Sequence, residues 1–263
     1  MPDVNVVFND AEAYERFMGA WSRSVGEKFL AWLAPPQNKR WLDVGCGTGA
    51  FSELILARCA PSALTGADPS AQQVEHARKT IAKAEFRVAD ALSLPFGDGE
   101  FDVVASALVL HFLPDRRKGF AEMRRVAKPG AMVAGYTWNR TAEATFAPYA
   151  PMSRAIKKIG IQPILSPLVP EAAPEGLKET LEATGLRDID ITLIEVARSY
   201  QSFDEFWQVQ TMTLHPVGKT VAKMSDAEKS RLRDTVRESV PPGPDGRITY
   251  SARAIAYKAR TPA

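Results

Sequence analysis

The sequence is poor in cysteine and carries almost no net charge. Only two of its 263 residues are cysteines, Cys46 and Cys59, and their spacing is not that of a metal site. So little cysteine predicts a protein of the reducing cytoplasm. The formal net charge of +2 creates no strong field for nucleic acid or an anionic membrane, so neither is expected as a partner.

Long hydrophobic runs are also missing. The longest apolar stretch, residues 103–113, is interrupted by Ser106 and His111 and is too short to span a bilayer. The N-terminus contains acidic residues and no apolar run, so we expect no signal peptide there. With 45% hydrophobic and 24% charged residues, the composition is ordinary for a soluble globular protein of one large domain or two small ones.

The most informative segment joins a short apolar strand to a helix through three alternating glycines. It reads Trp41-Leu42-Asp43-Val44-Gly45-Cys46-Gly47-Thr48-Gly49, and a helix pattern follows. Glycines at such a turn let the backbone approach a nucleotide-like ligand without a Cβ in the way. The spacing Gly45-x-Gly47-x-x-Ala50 also fits a relaxed dinucleotide fingerprint, so this segment alone leaves a nicotinamide enzyme open.

Acidic residues mark three of the predicted strands. Asp68 ends the second apolar run, at the distance from the glycines where a carboxylate that accepts from ribose hydroxyls is expected. Asp90 ends the third run, where an acid suits a site that grips an adenine amino group. Asp43 interrupts a strand that should be apolar, so it needs a partner, such as the cationic amino-acid group of a ligand.

Together these residues resemble the class I S-adenosylmethionine-dependent methyltransferases. That family has an acid two residues before Gly-x-Gly-x-Gly, an acid after the second strand and an Asp after the third. The resemblance covers about residues 38–138 and is nearest to the small-molecule branch that includes ubiquinone biosynthesis. Its features occur in order as Asp43 to Gly49, Asp68-Pro69-Ser70, Ala89-Asp90-Ala91-Leu92, Phe101-Asp102-Val103-Val104 and Arg125 to Ala131.

The resemblance implies S-adenosyl-L-methionine as cofactor and S-adenosyl-L-homocysteine as product. The glycine loop, including the backbone of Cys46, would hold the methionine part, Asp68 the ribose and Asp90 the adenine. Further residues are expected around the base and the cofactor's ammonium group: Pro69, Ser70, Ala91 and Leu92 for the base, and backbone at Ser106 and Ala107 for the ammonium.

An aromatic face precedes this core. Tyr14, Phe17, Met18 and Trp21 recur at three- and four-residue spacing, which predicts a helix with one apolar side. Because an N-terminal segment of this family often folds over the cofactor, the resemblance implies a lid that contacts it through Tyr14 and Trp21. Packing of the same face against the sheet is the alternative.

Strand and helix patterns alternate over residues 40–138, which predicts a parallel sheet with right-handed crossovers. With the resemblance, the fold class is α/β: a doubly wound, mostly parallel sheet of seven strands, Rossmann-like, with helical lid insertions. We expect a single methyltransferase domain over residues 1–263. Its parts would be an N-terminal helical lid at 1–36, a cofactor-binding core at 37–139, acceptor-side insertions at 140–173 and 199–243, and a C-terminal helix and last strands at 174–198 and 244–263.

The expected reaction is methyl transfer to a small-molecule acceptor. Displacement at a sulfonium methyl needs chiefly alignment of the reacting groups, and a base only if the acceptor must lose a proton. His111, just beyond the fourth strand, is the candidate catalytic base. Packing at the cofactor's edge is its alternative role.

Other functions stay open at this point. A basic helix over residues 116–128 would suit a nucleic-acid methyltransferase, such as one acting on tRNA, although its charges lack organised aromatic stacking residues. The signature of amino-group DNA methyltransferases is also missing, because Ser106-Ala107-Leu108-Val109 stand in its place. A cofactor-binding module without catalysis is a further alternative.

Overall fold

The structure, a computed structural model, describes residues 18–141, 148–164, 169–213 and 216–263. It contains one seven-stranded sheet, whose strands are β1 Arg40–Val44, β2 Ala63–Asp68, β3 Glu85–Val88, β4 Phe101–Ala107, β5 Ala127–Trp138, β6 Arg187–Tyr200 and β7 Ile248–Arg260. Their order across the sheet is β3-β2-β1-β4-β5-β7-β6.

Nine α-helices accompany the sheet within the described residues. They are α1 Ala20–Leu33, α2 Ala50–Cys59, α3 Ala71–Thr80, α4 Arg116–Val126, α5 Ala150–Lys158, α6 Pro174–Ala183, α7 Phe203–Gln210, α8 Pro216–Ala222 and α9 Asp226–Ser239. Two short 3₁₀ turns, Leu110–Phe112 and Pro170–Ala172, follow β4 and precede α6. None of the helices that the structure describes has the length and apolar character needed to cross a membrane.

The predicted mostly parallel sheet is confirmed. β1 pairs in parallel with β2 and with β4, and parallel pairing continues outward to β3 and β5. β7 reverses the direction and pairs antiparallel with β5, with Met132 opposite Arg260.

The parallel register brings several strand ends together. Val44 lies opposite Ala67 on one side and Ser106 on the other, and Asp68 lies opposite Val88. The residues that follow β1, β2, β3 and β4 therefore lie on one edge of the sheet. Open α/β sheets bind their ligands at this edge.

The described chain divides into two compact units. The core unit consists of residues 22–141, 169–194 and 254–263, and the second unit consists of the other described residues. In the core unit, Leu42, Val104 and Val133 from adjacent strands are fully buried with Phe120 of α4 and Leu177 of α6. Burial of apolar side chains on this scale is the main force that holds the strands and helices together.

Aromatic rings dominate the interior of the second unit. Tyr200 and Phe206 are fully buried, with ring centroids 5.3 Å apart in an edge-to-face arrangement. Tyr250 lies 5.8 Å from Phe206 and accepts a 3.0 Å hydrogen bond from Gln210 Nε2. The rings therefore supply apolar area, and the tyrosine hydroxyls satisfy polar groups that would otherwise be buried alone.

Helix starts follow the local sequence signals. The Ser70 side chain accepts a hydrogen bond from the Gln73 amide, and Asp115 accepts one from the Lys118 amide. Ser225 and Glu228 form a complete reciprocal capping box at the start of α9. Side-chain acceptors at these positions satisfy amides that have no partner within the helix.

Candidate functional site

The glycine loop leads from the end of β1 into α2. Gly45, Gly47 and Gly49 have φ angles of 75°, 56° and 94°. The amides of Gly45 and Cys46 donate to the Ala67 carbonyl at 2.7 and 3.1 Å, which ties the loop to the end of β2. Left-handed φ angles are accessible to glycine at low cost, so the alternating spacing read from the sequence has a conformational basis.

Neighbouring side chains add a steric reason for two of these glycines. A Cβ on Gly45 would lie 2.3 Å from Val109, and one on Gly49 would lie 2.3 Å from Ile81. A Cβ on Gly47 would meet only Gln73 Oε1, at 3.2 Å. Gly45 and Gly49 thus let the loop pack closely on the protein itself, while Gly47 borders the polar end of a flexible side chain.

Asp43 of β1 is fully buried. Its Oδ2 accepts a 2.6 Å hydrogen bond from Ser52 Oγ, whereas Oδ1 is buried without a hydrogen-bond partner in the described part of the chain. Burial, opposed by the Ser52 hydrogen bond, and the charge of Asp68 raise the pKa of Asp43 to about 7. A buried acceptor without a donor is costly, so this position fits a ligand that brings a donor or a positive charge.

Asp68 lies at the end of β2 and joins two loops. Its Oδ2 accepts from the Gly47 amide at 3.0 Å and its Oδ1 from the Ser70 amide at 2.9 Å. Burial raises the pKa of this carboxyl, and the two amides oppose that shift. Each carboxylate oxygen retains a lone pair, so Asp68 can hold the glycine loop and still accept from a ligand hydroxyl.

The residues expected around an adenine lie beyond β3. Asp90 is exposed, and its Oδ1 accepts from the Leu92 amide at 2.9 Å. The Ala89 amide donates to the Asp68 carbonyl at 3.0 Å, so this segment directly neighbours the end of β2. Ala91 is buried, Leu92 and Ser70 are half-buried, and Pro69 is exposed.

The end of β4 approaches the glycine loop through Val109. Ser106 is buried and Ala107 is half-buried at the last positions of the strand. Leu108 follows with a φ of 61°, and its amide donates to the Tyr136 carbonyl at 2.8 Å. This left-handed residue ends the strand and precedes Val109, whose side chain lies 2.3 Å from the Cβ position of Gly45.

His111 follows in the first 3₁₀ turn. Its Nδ1 is buried and makes no hydrogen bond to any residue that the structure describes. Burial, followed by the positive charges of Arg140 and Arg116, lowers the pKa of His111 to about 3. The ring is therefore neutral at physiological pH, so one of its nitrogens donates a hydrogen bond and the other accepts one.

The cofactor role predicted for the aromatic face stays a prediction. Tyr14 lies outside the described residues. Trp21 is fully buried, and its ring centroid is 5.2 Å from that of Tyr250 within the second unit. This is the environment of a packed aromatic residue.

Contacts within the core unit occupy much of the basic helix. Arg125 pairs with Glu122 at 2.8 Å and with Asp98 at 2.7 Å. Arg124 donates to the Thr184 carbonyl at 3.2 Å. These partners favour a structural role for both arginines over phosphate binding.

Sequence reasoning missed Glu171 and Arg140. Glu171 is buried in the second 3₁₀ turn, and its Oε2 lies 3.7 Å from Arg116 Nε. The Arg140 amide donates to the Ala172 carbonyl at 3.2 Å. Neither residue belongs to a periodic pattern or a motif, so no local signal in the sequence distinguishes them.

Comparison with known proteins identifies a family match in the same part of the chain. A family described as "Methyltransferase domain" matches residues 42–134, which include the glycine loop and the three acids. The 2-methyl-6-phytyl-1,4-hydroquinone methyltransferase of Synechocystis sp. is 34% identical over 184 residues, covering 66% of this chain and 55% of that protein. The chain thus spans little more than half the length of this relative.

A second relative is covered more fully. The demethylmenaquinone methyltransferase of a Roseiflexus species is 30% identical over 185 residues, covering 63% of this chain and 75% of that protein. Among solved structures, the fold resembles that of phosphoethanolamine N-methyltransferase 2 of Haemonchus contortus, with a TM-score of 0.57 at 18% identity. That structure contains phosphomonomethylethanolamine and S-adenosylhomocysteine. That similarity covers 95% of this chain and 56% of the other, and it concerns the fold.

Proposed function

The chain belongs to the class I S-adenosylmethionine-dependent methyltransferases, and on this premise we propose that it transfers a methyl group from S-adenosylmethionine to a small-molecule acceptor. The observation that carries the proposal is the junction at Asp68. One carboxylate there fastens the glycine loop and the β2–α3 turn side by side, at the edge of the sheet where ligands of this fold bind.

The residues at this edge fit the cofactor. Asp68 would accept from the ribose hydroxyls, and the glycine loop with Cys46 would hold the methionine part. The buried Oδ1 of Asp43 would gain the donor or positive charge that it lacks among the described residues. Asp90, Ala91 and Leu92, with Pro69 and Ser70, would surround the adenine, and the backbone at Ser106 and Ala107 would meet the ammonium group.

When bound, S-adenosylmethionine supplies an electrophilic methyl group on a sulfonium sulfur. The protein's own contribution is to hold the acceptor in line with that methyl and to exclude water. His111 was the sequence candidate for a general base. A base acts best with a pKa near the working pH, so the pKa of about 3 favours a neutral, hydrogen-bonding role.

A small acceptor agrees with the relatives. The two curated relatives act on a phytyl hydroquinone and on demethylmenaquinone by their names. The regions predicted to contact the acceptor, residues 140–173 and 199–243, remain a proposal.

Labelled methyl transfer tests the function. The protein is incubated with methyl-labelled S-adenosylmethionine and a metabolite extract, in parallel with bulk tRNA, DNA and protein. We expect the label in small molecules, and we expect Asp68→Ala to lose this transfer while the exposed Asp234→Ala on α9 retains it. Label found only in macromolecules would contradict the small-molecule acceptor. Cofactor binding without transfer to any substrate would instead support the binding module.

A further inference from the structure

Four charged or titratable side chains lie beyond β4 and β5, outside the residues proposed to hold the cofactor. They are His111, Arg116, Arg140 and Glu171, all in the core unit, and we term them the His111 cluster. The second 3₁₀ turn connects three of them, because Glu171 lies 3.7 Å from Arg116 and the neighbouring Ala172 carbonyl accepts from the Arg140 amide at 3.2 Å. The charges of both arginines act on the fourth member, His111.

Glu171 is held firmly in this arrangement. Its side chain is only 10% exposed, and its Oε1 accepts a 2.9 Å hydrogen bond from Thr180 Oγ1 of α6. Arg116 is 17% exposed and begins α4. Both groups are therefore largely desolvated, and their interaction is weakly screened by solvent.

The His111 cluster adjoins the glycine loop. Val109 fills the space that a Cβ on Gly45 would occupy, at 2.3 Å, and His111 follows Val109 by two positions. A group bound at His111 would thus lie near the methionine end of the proposed cofactor site, where an acceptor must be placed.

Three polar atoms of the His111 cluster lack hydrogen-bond partners among the described residues, namely His111 Nδ1, Arg116 Nε and Glu171 Oε2. His111 Nδ1 and Arg116 Nε are both buried, and the 3.7 Å separation of Arg116 from Glu171 is too long for a hydrogen bond. Buried polar groups normally find a partner, because leaving one unsatisfied costs about 1–3 kcal/mol. A ligand that brings a hydrogen-bond acceptor to these nitrogens would remove this cost.

The positive charges near His111 favour a ligand whose oxygen is anionic. Burial is the main cause of the lowered pKa of His111, and the positive charges of Arg140 and Arg116 lower it further, which indicates a positive potential at the ring. An apolar surface adjoins the same position, because Phe112 is 47% exposed and its ring centroid lies 3.9 Å from that of His111. An aromatic molecule with an ionised oxygen matches both features.

Resting on the proposed function, we propose that the His111 cluster binds an anionic oxygen of the acceptor, which is therefore an aromatic carboxylate or phenolate and not a neutral compound or an amine. His111 and Arg116 donate hydrogen bonds to this oxygen, and Arg140 contributes charge. Glu171 limits the affinity by neutralising part of the charge of Arg116.

Nuclear magnetic resonance of the histidine rings tests this site directly. The protein saturated with S-adenosylhomocysteine is titrated with benzoate and with 4-nitrophenolate, and in parallel with the uncharged benzamide and 4-nitroanisole. The chain has only three histidines, and His111→Gln assigns the relevant signal. We expect at least one of the two anions to shift the His111 signal saturably, and the stronger one identifies the acceptor as a carboxylate or a phenolate.

Three variants are expected to change the anion affinity in different directions. Arg116→Gln should weaken anion binding by about tenfold or more, because a charged hydrogen bond is lost. Glu171→Gln should strengthen it, because Gln keeps an acceptor for Thr180 and removes the opposing charge. Arg117→Gln, an exposed neighbour on α4, should have no effect. If the substitutions merely unfolded the protein, both would lower the anion affinity, so a decrease in one variant and an increase in the other excludes that explanation.

The outcomes separate this inference from the proposed function. If neither anion binds, if neutral analogues bind as well as the anions, or if the Arg116 and Glu171 variants change affinity in the same direction, the anionic acceptor site is wrong. Calorimetry of S-adenosylhomocysteine on the same sample tests the cofactor assignment. Product binding without anion binding overturns only the inference. Absence of product binding overturns the proposed function, and an anion that still binds the product-free protein would then mark an anion site that is not an acceptor site.

Discussion

At the scale of single residues, Asp43 and Asp68 show how two buried carboxylates in one site differ in function. Asp68 accepts from two backbone amides and so fixes the loop geometry. Asp43 accepts only from Ser52 and keeps one oxygen without a partner in the described structure. We therefore expect Asp68 to matter for affinity through geometry and charge, and Asp43 to reduce the stability of the ligand-free protein.

The first prediction concerns Asp68→Ala. Removal of one or two charge-assisted hydrogen bonds to the ribose should lower the affinity for S-adenosylhomocysteine by roughly ten- to several-hundred-fold. Calorimetry measures the change, with Asp234→Ala as the matched control and a melting curve to confirm folding. An unchanged affinity in a folded variant would refute the ribose assignment.

The second prediction concerns Asp43 and pH. Its folded-state pKa of about 7 is above the ordinary 3.8, so the folded protein keeps a proton that the unfolded chain has released. The resulting stabilisation is complete below the unfolded pKa and is lost as the pH rises through the folded pKa. Asp43→Asn should therefore make the ligand-free protein more stable than the parent at about pH 8, by about 4 kcal/mol at most.

Asp102→Asn is the matched control, with the opposite sign. Although burial opposes ionisation, hydrogen bonds from Lys128 and the Arg40 amide lower the pKa of Asp102. Asp102 therefore stabilises the folded state above the pKa of the unfolded chain, and this stabilisation is lost as the pH falls through the folded pKa. Asp102→Asn should accordingly be less stable than the parent at about pH 8. Urea unfolding at several pH values measures both. If Asp43→Asn were less stable than the parent at every pH, the raised pKa would be wrong.

Single residues differ in how well the sequence identifies them. Asp43 is conspicuous because a charge interrupts an apolar strand, and Asp68 because it ends one. Glu171 and Arg140 reach the His111 cluster through an irregular turn and long-range contacts, which no periodicity encodes. His111 was found by its place after β4, but its low pKa depends first on burial and then on the charges of Arg140 and Arg116, and burial cannot be read from the local sequence.

At the scale of elements, the glycine loop combines a conformational and a steric requirement. Gly45 has a φ of 75° and no room for a Cβ against Val109. Gly130, at the start of β5, has a φ of 68° but nothing within 4 Å of its Cβ position. Comparing the two glycines separates the cost of a left-handed backbone from the cost of an overlap.

The third prediction follows from this comparison. Gly130→Ala should cost about 1–2 kcal/mol for its left-handed conformation alone. Gly45→Ala should cost a further amount of about 1–3 kcal/mol for overpacking, and Val109→Ala in the same chain should recover much of it. Urea unfolding of the single and double variants measures these terms. Equal costs at both glycines, or strict additivity of the Gly45 and Val109 changes, would contradict the packing described for the loop.

Helix starts were predictable, whereas strand pairing was less so. Ser70, Asp115 and Ser225 act through hydrogen bonds to amides three residues away, so the sequence alone identifies them as caps. β7, Ile248–Arg260, lies within the C-terminal segment 244–263 in which a last strand was expected. Its antiparallel pairing with β5 joins segments more than a hundred residues apart, and local patterns carry no information on that register.

At the scale of the whole molecule, the alternation of strands and helices over residues 40–138 predicted a parallel sheet, and the family resemblance added the number of strands and the helical insertions. Five strands in this range form the continuous parallel part of the sheet. Periodicity could not order β6 and β7, because their neighbours in the sheet are set by contacts between segments far apart in the sequence. The predicted division into a lid, a core and acceptor-side insertions stays a prediction, and Tyr14 and Phe17 of the predicted lid lie outside the described residues.

The central claim is that the glycine loop and the acids beside it bind S-adenosylmethionine in order to donate its methyl group. Binding of the cofactor to the native state should also raise the melting temperature, because a ligand at about a hundred times its Kd stabilises by about 2.7 kcal/mol.

The most direct test is calorimetric titration of the intact protein with S-adenosylmethionine, S-adenosylhomocysteine and NAD. We predict one saturable site for the first two, in mutual competition, and no measurable binding of NAD. Tight binding of NAD with no binding of S-adenosylhomocysteine would contradict the account, because the same glycine spacing would then belong to a dinucleotide site.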